Sequence, residues 1–254
     1  MSSGRCACSP NRGCSLKGKV PARAFARSRV VKVDVQFRLI GGDIPADHGY
    51  PLLSALVRIV PSLHGDDTIG VHAIGGRFVG NRRLALTDRS RLTIRMDARR
   101  IAELLPLAGK SLLIGGSLIR IGTPQLRALE PAPRLYSRLV VIKGFMEPEA
   151  FLEAARRQLE GLAIRCEPQL VPQPAVAAAN VGKPTGSRSP YLRRTIRIHN
   201  QEVVGFALRV QDLEADESIR LQEHGLGGRR RFGCGIFVPD RKWGLPWDIR
   251  RKDC

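Results

Sequence analysis

Apolar and polar residues alternate between residues 30 and 39, in the segment VVKVDVQFRL, as they do in a strand with one buried face. After the segment GGDIP, which predicts a turn, the apolar residues change to helical spacing. The residues that carry this spacing are Leu52, Leu53, Leu56, Ile59 and Val60. They predict an amphipathic helix that ends near Pro61.

The next segments predict a further strand pair and a second helix. Residues 69–74 and 91–96 are strand-like. Asp97 is the expected N-cap of a helix over 98–105, because a carboxylate there can accept hydrogen bonds from the first-turn N–H groups. Residues 110–121 predict one or two strands around a Gly115-Gly116 turn.

The second part of the chain repeats this order of elements. Residues 168–190 interrupt it with a stretch rich in Pro, Ala, Gly and Ser, which predicts an irregular insertion. The elements predicted around it are a strand over 136–143, a helix over 147–162, a hairpin of 193–199 with 203–211 across Asn200-Gln201, a short helix over 213–223 and a closing strand over 236–238.

Each half therefore predicts the order βαββαβ, which is the ferredoxin-like arrangement that RNA recognition motifs also use. We expect an α+β fold with tandem ferredoxin-like (RRM-like) domains over residues 31–130 and 134–240 and a C-terminal glycine-rich loop. Residues 1–30 predict a disordered basic leader, and 241–254 a basic tail. A generic α+β protein is the alternative, and the repetition favours the tandem interpretation.

The charge of the chain indicates a polyanionic partner. Its 42 Lys and Arg against 23 Asp and Glu give +19 and a pI near 10.9. Residues 1–32 hold eight basic residues and no acid, so the rest still carries +11. Nucleic acid and an anionic membrane surface are the obvious partners. No apolar run approaches the ~20 residues of a membrane span, and the N-terminus lacks the apolar region of a secretory signal.

The cysteines favour free thiols over a metal site. Cys6, Cys8 and Cys14 form a C-x-C-x5-C cluster with no fourth ligand nearby, so we expect unligated cysteines in a reducing cytoplasm. No metal or other cofactor is predicted.

A glycine- and arginine-rich loop from Gly225 to Gly235 lies between the last predicted helix and the last strand. Glycine permits positive φ and exposes backbone N–H groups to phosphate, and arginine adds bidentate donors. The expected RNA-binding residues are Gly225, Gly227, Gly228, Arg229, Arg230, Arg231, Gly233 and Gly235. A helix C-cap and a solvated charged face are the structural alternatives. Aromatics make up 5% of the chain and no RNP aromatic motif is present, so binding should use phosphates and shape.

The segment GLGGRRRFGCGIFVP closely resembles the C-terminal signature of the CRISPR-associated repeat-processing endoribonucleases. The segments FRLIGGDIPADHGYPLLSAL, GKSLLIGGSLIRIG and LYSRLVVIKG resemble the MYXAN-type subfamily, so the similarity covers roughly residues 33–240. The resemblance implies a metal-independent RNase that cuts precursor CRISPR RNA within each repeat. It further implies attack by a 2′-hydroxyl, which leaves a 2′,3′-cyclic phosphate and a 5′-hydroxyl. CRISPR repeat RNA and other subunits of a CRISPR surveillance complex are the implied partners.

This reaction needs a base, an acid and cations near the phosphate, and histidine suits the first two because it titrates near neutrality. His48 is the first catalytic candidate, since family members commonly carry a catalytic histidine in or near the first helix. Tyr50 could orient the 2′-hydroxyl or the phosphate, and His64 is the second choice of histidine. The structural alternatives are a cap-region residue for His48, a core aromatic for Tyr50 and a favourable helix-dipole position for His64.

The other chemistry-bearing residues have structural interpretations of equal or greater weight. His72 is expected to be a strand residue, His199 a hairpin-edge residue and His224 either a helix cap or an RNA contact. The segment RKWGLPWDIRRK is expected to be a second RNA patch, a docking surface or a solvated tail.

The alternative to an endoribonuclease is a non-catalytic RNA-binding subunit of a CRISPR ribonucleoprotein. A basic DNA-associated protein is the third possible function. His48 favours the enzyme.

Overall fold

A computed structural model of the chain describes Met1 and residues 30–173, 189–198 and 201–240. The leader, the C-terminal tail, most of the insertion, His199 and Asn200 lie outside the described residues. The strands in these ranges are β1 (Lys32–Ile40), β2 (Asp43–Pro45), β3 (Gly70–Val71), β4 (Arg77–Phe78), β5 (Arg83–Ala85), β6 (Arg91–Asp97), β7 (Ser111–Ile114), β8 (Ser117–Ala128), β9 (Arg134–Val140), β10 (Pro168–Leu170), β11 (Arg193–Ile198), β12 (Gln201–Gln211) and β13 (Val238–Pro239). The α-helices there are α1 (Gly49–Ile59), α2 (Pro148–Gly161) and α3 (Ala215–His224), and the 3₁₀ helices are Pro61–Leu63, Ala98–Leu107 and Arg230–Phe232.

The first half forms an antiparallel sheet in the order β3-β6-β1-β8-β7. This is the order of a βαββαβ unit, in which the third strand of the unit lies between the first and the second. The central pair runs from Lys32 opposite Asp97 to Arg38 opposite Arg91. The apolar side of α1 packs on this sheet through Leu52 and other buried residues of the same core. The alternation of the β1 segment therefore has the expected cause, one face buried under a helix.

The second half repeats the pattern with a sheet in the order β10-β12-β9-β13, and β11 pairs with the remainder of β12. Its own core joins α2 and α3 to this sheet and contains Phe151 and Phe206, whose rings lie 4.9 Å apart. The predicted α+β class with two ferredoxin-like arrangements is confirmed.

The local predictions fail where an element depends on a distant partner. GGDIP is not only a turn, because its residues Asp43–Pro45 form β2 and pair with β5. Similarly, β10 lies inside the predicted irregular insertion and is a strand because it pairs with β12. The second helix of the first half is 3₁₀ rather than α, and it contains Pro106, which cannot donate a backbone hydrogen bond. Its N-cap is Asp97, as expected, with the carboxylate accepting from the Arg99 N–H.

Arg95 connects the first sheet to the second half. Its guanidinium is 1% exposed and bonds both carboxylate oxygens of Asp34, at 2.7 and 2.9 Å. Its remaining nitrogen donates to the carbonyls of Gln222 and Phe237, at 2.9 and 2.8 Å. Burial alone would raise the pKa of Asp34, but the hydrogen bonds from Arg95 and the nearby ring of His72 hold this pKa well below its usual range. A buried cation with a hydrogen bond at each of its nitrogens thus connects α3 and the residue before the last strand to β1 and β6.

Candidate functional site

The glycine-rich loop, Gly225–Gly235, is folded tightly on itself. Gly225 and Gly235 have φ of 67° and 64°, which side chains rarely adopt. A Cβ on Gly225 would overlap the carbonyl oxygen of Gly235, and a Cβ on Gly235 would overlap that of Leu226. A Cβ on Gly227 would meet the carbonyl of Val141 in the same way. These glycines are therefore required by the packing of the chain itself.

Gly228 and Arg229 form the outer edge of this loop. A Cβ on Gly228 would meet nothing within 4 Å, so internal packing does not explain this glycine. Arg229 is exposed, and its guanidinium makes no hydrogen bond or ion pair with the residues that the structure describes. The edge of the loop is thus open to a ligand.

The two following arginines have protein partners. The Arg230 guanidinium donates to the carbonyls of His224 and Glu223, at 2.7 and 2.9 Å, and so caps the C-terminus of α3. Burial, together with the charge of Arg95, lowers the pKa of Arg230 to about 10. Arg231 forms a 3.0 Å ion pair with Asp67 of the first half. Among the residues that the structure describes, Arg230 and Arg231 thus have protein partners and the guanidinium of Arg229 has none.

His48 lies at the start of α1, where it is 2% exposed and uses both ring nitrogens. Nε2 accepts a 2.9 Å hydrogen bond from the Ile74 N–H, and Nδ1 lies 2.9 Å from the Pro45 carbonyl. Because an N–H can only donate, Nε2 carries no proton, and Nδ1 carries the proton that bonds Pro45. Burial lowers the pKa of His48 below its ordinary value of 6.5. The imidazole is therefore neutral at pH 7.

A pocket of about 130 Å³ opens beside His48 where segments of both halves meet, and we call it the junction pocket. Its lining residues are Ala46, Asp47, His48, Gly49, Ala73, Arg82, Arg138, Thr195, Ile196 and Phe232. The first half supplies the start of α1 and the turn between β4 and β5. The second half supplies β9, β11 and the glycine-rich loop. The pocket thus places two arginines beside a buried, neutral histidine.

Arg82 and Arg138 were not among the site residues predicted from the sequence. Arg138 occupies an outward position of β9, where alternation with Ser137 and Leu139 is the only local signal. Arg82 ends a turn in which Gly80, Asn81 and Arg82 all have positive φ, and a Gly-Asn turn signal was available for it.

The other predicted residues are distributed around the site. Tyr50 stacks on Phe232 of the glycine-rich loop with ring centroids 6.3 Å apart. His64 is exposed after the 3₁₀ helix Pro61–Leu63 and does not line the junction pocket. His72 lies with Nε2 3.6 Å from an Asp34 oxygen. The ring of His224 lies 3.0 Å from the Arg220 carbonyl of its own helix.

Two kinds of feature are absent from the described part of the chain. No group of three or more His, Cys, Asp or Glu in these ranges could hold a metal ion. None of the helices found there is long and apolar enough to cross a membrane.

Comparison with known proteins gives consistent similarities. The family model described as Cas6 Crispr matches residues 33–242. The CRISPR-associated endonuclease Cas6 of Myxococcus xanthus (strain DK1622) is 41% identical over 210 residues, which are 83% of this chain and 82% of that protein. A solved RAMP protein that binds different RNA substrates has a TM-score of 0.58 at 12% identity, over 82% of this chain and 98% of its own. A Cas6-related protein from Pyrococcus furiosus has a TM-score of 0.56 at 11% identity, over 83% and 100%. The two structures share the fold.

Proposed function

Because this chain belongs to the Cas6 family of CRISPR-associated endonucleases, we propose that it cuts precursor CRISPR RNA within the repeats without a metal ion. The observation that carries the proposal is the junction pocket, where His48 lies beside Arg82 and Arg138. A neutral imidazole and two cations are the groups that attack of a 2′-hydroxyl on its neighbouring phosphate requires.

In this reaction His48 accepts the proton of the 2′-hydroxyl, for which Nε2 must first release the Ile74 N–H. The 2′-oxygen bonds to phosphorus while the bond from phosphorus to the 5′-oxygen breaks. The leaving oxygen takes a proton from water, so the products are a 2′,3′-cyclic phosphate and a 5′-hydroxyl. A pKa below 6.5 suits His48 to the role of base, since the group is already unprotonated at pH 7. Tyr50 orients the 2′-hydroxyl or the phosphate, and His64 is the second candidate for proton transfer.

A non-catalytic RNA-binding subunit is the second candidate function. The observation in its favour is that both ring nitrogens of His48 are hydrogen-bonded within the protein. Such a subunit would bind the same RNA through the glycine-rich loop and leave it intact.

Incubation of the protein with end-labelled repeat RNA in EDTA distinguishes the endonuclease from the binding subunit. For the endonuclease we expect cleavage at one position. The 5′ fragment should resist phosphatase until acid opens its cyclic phosphate, and the 3′ fragment should be labelled directly by kinase because it carries a free 5′-hydroxyl. Tight binding with intact RNA would support the binding subunit. Cleavage only after Mg²⁺ is restored would contradict the metal-free mechanism.

The proposed partners are CRISPR repeat RNA and other subunits of a CRISPR surveillance complex, and the proposed location is the cytoplasm. The formal charge of +19 supports the RNA partner, since each phosphate contact releases counterions.

Arg229 and Arg230 are neighbours in the glycine-rich loop with different surroundings, so they give a matched pair of variants. Arg229→Ala should weaken repeat binding, lower the salt slope of log Kd by ~0.7–0.9 for one lost phosphate contact, and leave the melting temperature unchanged. Arg230→Ala should cost ~1–3 kcal/mol of unfolding free energy, because two carbonyls at the end of α3 lose a charged donor. Salt-dependent filter binding and thermal melts measure both effects. If Arg229→Ala kept the wild-type slope, Arg229 would not be an RNA contact.

Phe78 in the hairpin of β4 and β5 is a second proposed RNA contact. Its side chain is 64% exposed between Arg77 and Arg82, both also exposed, and Arg82 lines the junction pocket. An exposed aromatic between cations is typical of base stacking, which contributes ~1–3 kcal/mol per base. Phe78→Ala should therefore weaken repeat binding about 5- to 100-fold.

Leu118→Ala is the matched control for Phe78→Ala, because Leu118 is 69% exposed at the start of β8. We expect wild-type affinity for this control in the same binding assay. Equal losses for the two variants would show a general surface effect, and no loss for Phe78→Ala would contradict stacking.

A further inference from the structure

The 3₁₀ turn of the glycine-rich loop packs on the residue that follows His48. A Cβ on Gly49 would lie 2.8 Å from the carbonyl oxygen of Phe232, so a side chain at this position would push the two segments apart. The ring of Phe232 stacks on Tyr50, and the side chain is half-buried against the core of the first half. A loop from the second half of the chain thus closes over the first turn of α1.

The same loop also touches the segment that bonds Nε2 of His48. Gly233 lies so close to Ala73 that a Cβ on it would be 3.2 Å from the Ala73 nitrogen. Ile74, the next residue after Ala73, donates its N–H to Nε2 of His48. Phe232 and Gly233 therefore contact both the helix start that carries the imidazole and the segment after β3 that fixes its ring.

A hydrogen bond joins this contact to the outer edge of the glycine-rich loop. Phe232 donates its N–H to the carbonyl of Arg229 at 2.9 Å. Arg229 is exposed and is the proposed phosphate contact of the loop. A shift of Arg229 on binding RNA would therefore be passed to Phe232 and from there to the first turn of α1.

The pKa of His48 depends on how closely the protein covers its ring. Burial is the largest cause of the lowered pKa, while Arg138 of β9 lowers it further and the neighbouring Asp47 opposes this. Arg82, from the turn between β4 and β5, lines the same pocket. Phe232 is also part of this lining, so removal of its ring would admit water beside the imidazole. The titration of His48 thus reports whether the loop covers the start of α1.

We propose that Phe232 is a positioning residue for cleavage: it holds the first turn of α1 so that His48 lies where the RNA bound by the glycine-rich loop is cut. This inference rests on the proposed function and adds to it the element that places the proposed base. The side chain of Phe232 is a hydrocarbon, so it transfers no proton and acts through packing. The position of His48 is therefore set by the second half of the chain, although the histidine belongs to the first.

Phe232→Ala should lower the single-turnover cleavage rate at saturating protein about 100-fold, the loss that a displacement of ~1 Å can cause. The salt slope of repeat binding should stay at the wild-type value, because Arg229 is retained. In an NMR titration, with the His48 signal identified by its absence from His48→Ala, the ring should titrate closer to the ordinary pKa of 6.5 than in the wild type. Phe232→Tyr should keep most of the rate, because it retains the ring.

Gly49→Ala tests the same contact from the side of α1 and leaves the sequence of the loop unchanged. The new Cβ would press on the Phe232 carbonyl, which belongs to the backbone. We expect a slower cut and an altered His48 titration, again with the wild-type salt slope. Gly161→Ala is the matched control, since a Cβ there, at the end of α2, meets nothing within 4 Å. It should match the wild type in all three measurements.

Phe145→Ala is the control for the loss of a half-buried aromatic ring, because Phe145 packs on the core of the second half and does not line the junction pocket. It should cut at the wild-type rate, and equal losses in Phe145→Ala and Phe232→Ala would overturn the proposal as a general effect of stability. A slower Phe232→Ala with a reduced salt slope, or with the wild-type His48 titration, would also overturn it. If the wild type cut no repeat RNA, the proposed function would fail, and the titration would still decide whether Phe232 controls the surroundings of His48.

Discussion

Replacement of His48 with alanine is expected to lower the single-turnover cleavage rate about 100- to 10,000-fold, the range for a lost general base. The imidazole is the one titratable group near pH 7 in the wall of the junction pocket. The variant also leaves the Ile74 N–H and the Pro45 carbonyl without their partner, which costs ~1–3 kcal/mol of unfolding free energy. The rate must therefore be measured at saturating protein, well below the melting temperature.

The pH dependence separates a base from a residue that only supports the fold. If His48 is the base, the wild-type rate is constant through pH 7 to 8 and falls only as pH drops through a pKa below 6.5. The pKa of His48 is lower in the folded than in the unfolded chain, so the unfolded chain binds more protons below about pH 6.5. The contribution of His48 to stability is therefore present above this pH and is lost as pH falls. Rates at each pH are compared where melts show the protein folded.

His72→Ala is the control for loss of a packed histidine, and we expect it to cut at a near wild-type rate. His72 lies beside Asp34 and does not line the junction pocket. Wild-type cleavage by His48→Ala would contradict the assignment and make His64 the leading candidate. Equal losses of cleavage and RNA affinity in His48→Ala would show that the residue only supports the fold.

Gly235→Ala is expected to destabilise the protein by about 4 kcal/mol or more, in the tail of the range for single substitutions. The new Cβ would overlap the Leu226 carbonyl oxygen, which belongs to the backbone and cannot turn away as a side chain can. A φ of 64° adds ~1–2 kcal/mol for a residue other than glycine. Gly235 also donates its N–H to the Leu139 carbonyl at 2.7 Å, so a shift of the loop would disturb the end of β9.

Gly228→Ala is the matched control in the same loop, because a Cβ there meets open space. Its unfolding free energy should lie within ~0.5 kcal/mol of the wild type in urea denaturation. Equal stability of the two variants would show that the loop can open around Gly235 without cost, and would contradict the packing argument.

Much of the fold follows from patterns within short stretches of sequence. The alternation of β1, the helical spacing of α1 and the repeated order of elements were sufficient to predict two βαββαβ sheets, because each pattern reports which face of one element is buried. β2 and β10 were not predicted as strands, since a strand of three residues is defined by its partner, and those partners lie about 40 residues away.

The sequence by itself determined the basic character of the chain, its two ferredoxin-like halves, its family signature and the place of His48 before the first helix. Only the tertiary structure decided that Arg230 caps α3 while Arg229 has no partner in the described part of the chain. It also decided that His48 is neutral with both ring nitrogens hydrogen-bonded, and that Arg138 lines the same pocket. Residue type and spacing specify what a side chain can do. Its partners, its access to water and its pKa depend on atoms from residues far apart in the chain, which come together only when the two halves meet.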